Sequence, residues 1–468
     1  MFGQLQGAQK LQQVTQLLQS LEKDLQEKTL SSAQKAQILL QLRQHGTSPV
    51  NAEPIYSKNG IGLLVRYGID GETADVRRAA LRCVANALLL DSKMRQVFVD
   101  TGYGGKLAQR LKADSSEDEM VTSRILFLST YDTTENFDAL IKNHSLGENV
   151  NYQLSRHAKQ FPKSGRKPLE QIDELALIDT LKLIFNISKL YPDLAVTFSP
   201  SIPHILKIIS RIDIPAKPLE GLLSYLINCL STLDLEEKKG KHFESNPLFP
   251  TFNQNCNVDK LINILDQAVS AYSPEELETK AVPLLHSLIV LHEAAPEGPR
   301  KYMQWLILPE DNDRSTPIGQ SDTLSSRLLK LSTSPYPNLK TGISELMFVL
   351  SGKNAENLTK KIGYGFAAGF LASRGMEIPQ SAGEAFATNS SSNGLDPEIN
   401  PVTGQRWAAE PKDPEPPMTI EEKEREAERL FVLFERAKAN GLISVENPVT
   451  QALHEGRLEE LPDDVDSD

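Results

Sequence analysis

The sequence predicts an all-α chain: an armadillo/HEAT-like helical-repeat superhelix over residues 1–375, a flexible arm, and one isolated C-terminal amphipathic helix. Three observations carry this expectation. Apolar residues recur with the 3.6-residue period of amphipathic helices, while alternating β-branched runs joined by hairpin turns are scarce. One helix type recurs: LRCVANALLL around Asn86, LKLIFNISKL around Asn186 and LSYLINCLSTL around Asn228, each with a single Asn in an otherwise apolar helix. The last two lie about 42 residues apart, within the roughly 40–47-residue period of armadillo and HEAT units. Stacked units of this kind bury a continuous core that no single unit could bury alone.

The elements follow in chain order. Gln9–Leu25 places Leu11, Val14, Leu17, Leu18, Leu21 and Leu25 on one helical stripe. RILFLST at Arg124 and LLHSLIVLHEAA at His286 are degenerate copies of the repeated helix. Two insertions break the stack, the basic Arg156–Pro168 and the polar, proline-containing Glu236–Asn255. Both read as solvated loops, and the basic one also suits an acidic partner. Thr359–Gly375 (TKKIGYGFAAGFLASRG) is a Gly-Tyr-Gly hinge followed by an apolar helix that stops at Gly375. Its G-x-G-x-x-x-G spacing and the helical pattern before it do not fit a dinucleotide fingerprint, which follows a strand.

From 376 to 418 Pro, Ser, Gly and Asn dominate, a composition too poor in apolar surface to offset its ordering entropy. A helix is then expected over 419–440. Thr419 and Glu422 have capping-box spacing behind Pro416–Pro417, and Gly441 supplies a stop. Its apolar face is Ala427, Leu430, Phe431, Phe434 and Ala437, with Leu433 beside it. Residues 441–468 form an acidic tail.

Composition narrows the function. A formal charge of −12 over 468 residues argues against nucleic acid as partner. The three cysteines, Cys83, Cys229 and Cys256, lack metal-ligand spacing, and two sit in apolar helical patterns as buried, inert thiols. The start MFGQLQGAQKLQQ is no signal peptide, and no apolar run is long enough for a bilayer. A reduced, intracellular, cytoplasmic protein is the expectation. The eight histidines form no H-E-x-x-H, and no G-x-S-x-G occurs. GYGGKL at Gly102–Leu107 lacks the first glycine of a phosphate loop and has Leu107 where the Mg²⁺-binding hydroxyl belongs. Neither an enzyme nor a cofactor is expected. Ser115 and Ser116, ahead of Glu117–Asp118–Glu119, suit an acidophilic kinase or are simply an acidic loop.

Two constellations remain. A mid-helix Asn costs helix propensity and is expensive to bury alone, so its recurrence at Asn86, Asn186 and Asn228 asks for a reason. Either each Asn is satisfied within the core, or the three line a groove and hydrogen-bond a docked peptide. Arg78 and Arg82 precede Asn86 by eight and four residues, and Lys182 precedes Asn186 by four, so these cations share the asparagine faces. The C-terminal helix likewise has two readings: a cap folded onto the superhelix, or an apolar face for a partner's groove.

RKYMQWLILP, LMFVLSGKNAENLTKKIGYGFAAGFLASRG, INPVTGQ and MTIEEKEREAERLFVLFERAK, with LRCVANALLL, SRILFLS and LKLIFNIS upstream, resemble the synembryn family. The ending NPVTQALHEGRLEELPDDVDSD is similar to its fungal branch. The resemblance implies a guanine nucleotide exchange factor and folding chaperone for heterotrimeric G-protein α subunits, GDP-bound or nucleotide-free. It further implies a monomer, recruited to the inner face of the plasma membrane through its partner. The α subunit's terminal helix would enter the concave groove, at Arg78, Arg82, Asn86, Arg124, Lys182, Asn186 and Asn228. Leu430, Phe431 and Phe434 would hold the Ras-like domain. Animal members carry an acidic phosphorylated block before NPVTG; here the stretch is SSSNGLDPE, so the resemblance does not imply activation by phosphorylation there. The alternative is an armadillo-type adaptor that reads a linear peptide without altering nucleotide exchange.

Overall fold

Helix follows helix from the first turn onward. The computed structural model describes residues 7–161, 169–235, 246–310, 314–376, 399–400, 404–409 and 419–439. The order begins with α1 (Gly7–Glu27), α2 (Ser32–His45), α3 (Lys58–Asp70), α4 (Ala74–Leu90), α5 (Lys93–Val99), α6 (Gly104–Arg110) and α7 (Ser116–Leu128). It continues with α8 (Phe137–His144), α9 (Leu146–Lys159), α10 (Gln171–Leu190), a 3-10 segment (Pro192–Ser201), α11 (Ile202–Arg211), α12 (Gly221–Leu230) and α13 (Cys256–Ala271). Then come α14 (Pro274–Lys280), α15 (Val282–Ala294), α16 (Glu297–Ile307), α17 (Leu324–Ser332), α18 (Pro337–Leu350), α19 (Ala355–Ile362) and α20 (Tyr364–Ser373). The only pairing of extended backbone among the described residues is an isolated bridge, Ile399 with Arg406.

Local chemistry sets the helix starts. Ser31, Ser57, Thr73, Ser115, Asn136, Ser273, Thr323 and Asn354 each accept a hydrogen bond from a first-turn amide. Each satisfies a donor that the helix itself leaves free. Burial of the apolar stripes then fixes the stacking. In α1, Val14, Leu18 and Leu21 are buried, whereas Leu11 at the edge of the stripe is exposed. Cys83 and Cys229 are buried among aliphatic side chains, and burial pushes the Cys83 thiol up to about 12.

The stacking is that of a helical-repeat protein. One layer is a ladder in which α2 packs on α4, α4 on α7, α7 on α10, α10 on α12, α12 on α15 and α15 on α18. The recurring Asn-bearing helices are rungs of this ladder: α4, α10 and α12. A second layer runs alongside it, with α9 on α11, α11 on α13, and α13 on α16 and α17. Over its described residues the first unit is therefore an all-α, armadillo/HEAT-like helical repeat.

The hinge read from the sequence falls between α19 and α20. Gly363 has a φ of +76° and accepts no side chain without strain, and Gly375 closes the next helix with a φ of +63°. Beyond it the compact unit continues to Ala409, so the boundary expected at 375 lies inside it. Arg314 is the reason. Its buried guanidinium donates to the Lys360 and Lys361 carbonyls at the end of α19 (3.2 and 3.1 Å) and to the Gly404 carbonyl (2.8 Å). The Arg406 amide donates back to the Arg314 carbonyl at 3.0 Å. The remainder of the expected arm and the whole of 441–468 lie outside the described residues.

The second unit, Glu410–Asp468, contains α21 (Ile420–Ala439). Its capping box is formed: the Thr419 amide donates to Glu422 Oε2 (3.0 Å) and the Glu422 amide to Thr419 Oγ1 (3.3 Å). Leu430, Phe431, Val432 and Leu433 are exposed, at 64, 40, 44 and 51%. The side chains of Phe434 and Ala437 lie outside the described set.

Candidate partner-binding face

The ladder brings the expected cations and asparagines onto four successive helices. Arg78, Arg82 and Asn86 lie four residues apart along α4, so all three look out from one face. Arg124 comes from α7, Lys182 and Asn186 from α10, and Asn228 from α12. Each of these helices is mostly buried on its other sides.

The α4–α7 step is held by charge. Arg78 donates through Nε and Nη2 to the two oxygens of Asp118 (3.0 Å each) and through Nη2 to Ser115 Oγ (2.8 Å), and also pairs with Glu117. Arg82 reaches Glu117 Oε1 at 3.2 Å. Burial pushes the Asp118 carboxyl up, but the hydrogen bond and charge of Arg78, with Ser115, more than reverse this and hold it below the ordinary range. Arg78 is thus a fastener, and Arg82 the more open of the two. Ser115 is occupied as helix cap and Arg78 acceptor, and the Ser116 hydroxyl bonds Asp173.

The α7–α10 step has a buried carboxylate at its centre. Asp179 is 2% exposed. It receives Arg124 Nε and Nη2 at 2.8 and 2.7 Å and Lys182 Nζ at 3.4 Å. Burial raises its carboxyl above the usual value despite the two cations. Lys182 also sits over two rings, 5.1 Å from the centroid of Tyr225 on α12 and 5.7 Å from that of Phe127 on α7. A single ammonium therefore touches three consecutive rungs.

The asparagines divide. Asn186 is 6% exposed, and its Nδ2 donates to Thr130 Oγ1 at 2.7 Å, so its amide is satisfied within the core. Asn86 and Asn228 are half-buried, and neither side-chain amide makes a hydrogen bond among the described residues. These two retain donors and acceptors for something else.

Sequence reasoning missed Phe127, Asp179 and Tyr225, which complete the face. A signal existed: each lies three residues from an expected member, Arg124, Lys182 or Asn228, the spacing of one helix face. It also missed the seam beneath. The fully buried Glu119 carboxylate accepts from Thr180 Oγ1 (2.7 Å), lies 2.9 Å from His157 Nε2 and pairs with Arg156, locking α7, α9 and α10 together. The Gly104–Gly105 pair, reminiscent of a phosphate loop, is instead packed: a Cβ on Gly105 would lie 2.5 Å from the His144 ring. Among the described residues no cluster of His, Cys, Asp and Glu has metal-binding geometry, and no helix is long and apolar enough to cross a membrane.

Comparison with known proteins adds a family. The sequence profile of the family described as guanine nucleotide exchange factor synembryn matches residues 38–457. The chaperone Ric-8A of Xenopus tropicalis is 31% identical over 212 residues, covering 44% of this chain and 37% of that one. A synembryn-like chaperone of Schizosaccharomyces pombe is 30% identical over 170 residues, covering 34% and 32%. Ric-8A of Rattus norvegicus is 34% identical over 152 residues, covering 31% and 28%. The matches thus span about a third of the length of these relatives. Among solved structures, a designed armadillo repeat protein is similar over 73% of this chain and 99% of its own, at 13% identity and a TM-score of 0.30.

Proposed function

This chain belongs to the synembryn family of guanine nucleotide exchange factors, and we propose that it releases guanine nucleotide from, and assists the folding of, heterotrimeric G-protein α subunits. The face on α4, α7, α10 and α12 takes up the terminal helix of the α subunit. One observation carries this reading. Arg82, Arg124 and Lys182 are held in place by carboxylates while Asn86 and Asn228 keep uncommitted amides. The end of a helix has the complementary chemistry: its last four carbonyls lack intrahelical donors, and its dipole carries about half a negative charge there. Cations and amide donors on a rigid face meet both needs. Arg78 and Asn186 support the face from below.

No catalytic side chain is required. Holding the terminal helix away from the GTPase core removes packing behind the guanine-base and phosphate loops, so GDP leaves. Preferential binding of the nucleotide-free state drives this, and GTP reverses it by favouring the ordered domain. The same preference shields a newly made, still unpacked subunit, which is the chaperone activity. Leu430, Phe431 and Phe434 on α21 provide an apolar patch for the Ras-like domain. The protein acts as a cytoplasmic monomer without a cofactor and reaches the membrane through its partner.

The test is release of fluorescent GDP from a cognate α subunit, together with the soluble yield of that subunit when the two are made together. Arg82→Glu with Asn86→Ala is expected to weaken capture of a peptide copying the terminal helix of the α subunit. Leu430→Ala with Phe431→Ala is expected to slow exchange while that peptide still binds. Unchanged release together with unchanged yield would leave the adaptor reading in its place.

A further inference from the structure

We infer that Arg314 is a positioning residue for exchange, because it sets the length of chain between the superhelix and α21. The inference rests on the proposed function, in which the face on α4, α7, α10 and α12 and the apolar patch on α21 hold one α subunit at the same time. What Arg314 fastens is a strap of residues 399–400 and 404–409, which includes both ends of the NPVTG motif. The strap closes on itself: the Gly404 amide donates to the Asn400 carbonyl (2.7 Å), and the Asn400 amide donates to the Gln405 carbonyl (2.8 Å). Arg314 is 3% exposed. One arm of its guanidinium meets the strap at the Gly404 carbonyl, and the other meets the end of α19 at the Lys360 and Lys361 carbonyls. Gln405 adds a bond from its Nε2 to the Ser315 carbonyl at 3.4 Å. A planar fork of donors suits a residue that joins carbonyls from two segments. Removing it leaves those carbonyls short of donors in a buried place.

The consequence is one of chain length. The Met376 amide donates to the Leu371 carbonyl and closes α20. From there 42 residues, 377–418, lead to Thr419, the cap of α21. With the strap fastened, the first unit extends to Ala409, and only the nine residues 410–418 remain. At roughly 3.5 Å per residue, the longest reach falls from about 150 Å to about 35 Å. The second of two linked contacts forms at an effective concentration that falls roughly as the −3/2 power of tether length. Shortening the tether from 42 to nine residues therefore raises that concentration about tenfold. Once the face has taken the terminal helix, the patch on α21 meets the same α subunit correspondingly more often.

The experiment follows release of fluorescent GDP from a cognate α subunit against the concentration of the full chain. Arg314→Gln should raise the half-maximal concentration about tenfold. Capture of the peptide copying the terminal helix, which needs the face alone, should not change. A Gly/Ser segment of about 33 residues inserted between Ala409 and Glu410 of the wild type restores the long tether and should also cost about tenfold. In Arg314→Gln the same insertion takes the tether from 42 to about 75 residues and should cost only about twofold. A residue that merely stabilised α19 would leave the two insertion losses equal. Thermal melts report whether Arg314→Gln is folded. If it is not, Gly404→Ala takes its place with the same expectations, since a Cβ there would lie 2.2 Å from Ile318 Cδ1 and strike the strap side of the contact. A wild-type chain without effect on GDP release would overturn the proposed function and this inference with it. Release by the wild type with an unchanged half-maximal concentration in the variant, a parallel loss of peptide capture, or equal insertion losses would overturn the inference alone.

Discussion

Replacing Asp179 by Asn separates the two things a buried carboxylate can do. Asp179 is 2% exposed and holds Arg124 and Lys182, whose side chains are 33 and 29% exposed. Ion pairs with that much solvent access contribute on the order of 0.2–1 kcal/mol each. Burying the carboxylate itself costs several kcal/mol. The balance runs against the ionised form, in agreement with the raised carboxyl. The sign follows. With the folded value above the unfolded one, the penalty is full at neutral pH and shrinks as pH falls through the raised value toward the ordinary carboxylate range. Asp179→Asn removes that penalty while keeping the shape, so its stability at pH 7 should lie within about 1 kcal/mol of wild type. Function should not be spared. Arg124 and Lys182 lose the anchor that fixes their rotamers, and capture of the peptide copying the α subunit's terminal helix should weaken about tenfold. Urea unfolding at pH 7 and pH 5 with peptide anisotropy measures both. A loss above about 3 kcal/mol with unchanged capture would refute the reasoning and make Asp179 an ordinary structural counter-ion.

Other expected outcomes concern the asparagines, a buried histidine and a turn. Asn186→Ala should cost about 1–2 kcal/mol by removing the bond to Thr130, whereas Asn86→Ala and Asn228→Ala should stay within about 0.5 kcal/mol yet weaken peptide capture. Equal stability losses at all three would overturn the division between core and face. Burial, helped by Arg300, lowers His292 to about 4. The fold therefore keeps its full stability above pH 6.5 and loses on the order of 3 kcal/mol as pH falls to about 4, because only the unfolded chain takes up the proton. His292→Leu should flatten that segment of the stability–pH curve, and an unchanged slope would exclude the histidine as its source. Gly404 has a φ of +70°, and a Cβ there would lie 2.2 Å from Ile318 Cδ1. Gly404→Ala should cost about 2 kcal/mol or more, read by urea unfolding; wild-type stability would show that this turn accepts a side chain.

The helices were legible because their stripes are local: burial of Val14, Leu18 and Leu21 follows from a period visible in seventeen residues. The ladder was legible in outline because three rungs repeat a polar residue in an apolar helix. The fate of each asparagine was not. Asn186 is satisfied by Thr130, 56 residues away in another repeat, and Asn86 and Asn228 have no such neighbour. The end of the compact unit escaped for the same reason, since Arg314 and Gly404 meet across 90 residues.

These misses share a physical origin that bears on the face itself. Period and propensity report what a residue does within its own helix, whereas a hydrogen bond between repeats depends on the rung beside it. The cations of the face all depend on such bonds: Arg78 and Arg82 on α7, Arg124 on α10, and Lys182 on the rings of α7 and α12. Bending the superhelix changes the distance between neighbouring rungs and so changes every one of these contacts together. Under the proposed function, a docked helix that replaced some of them would be coupled to the curvature of the stack, and through it to the neighbouring rungs.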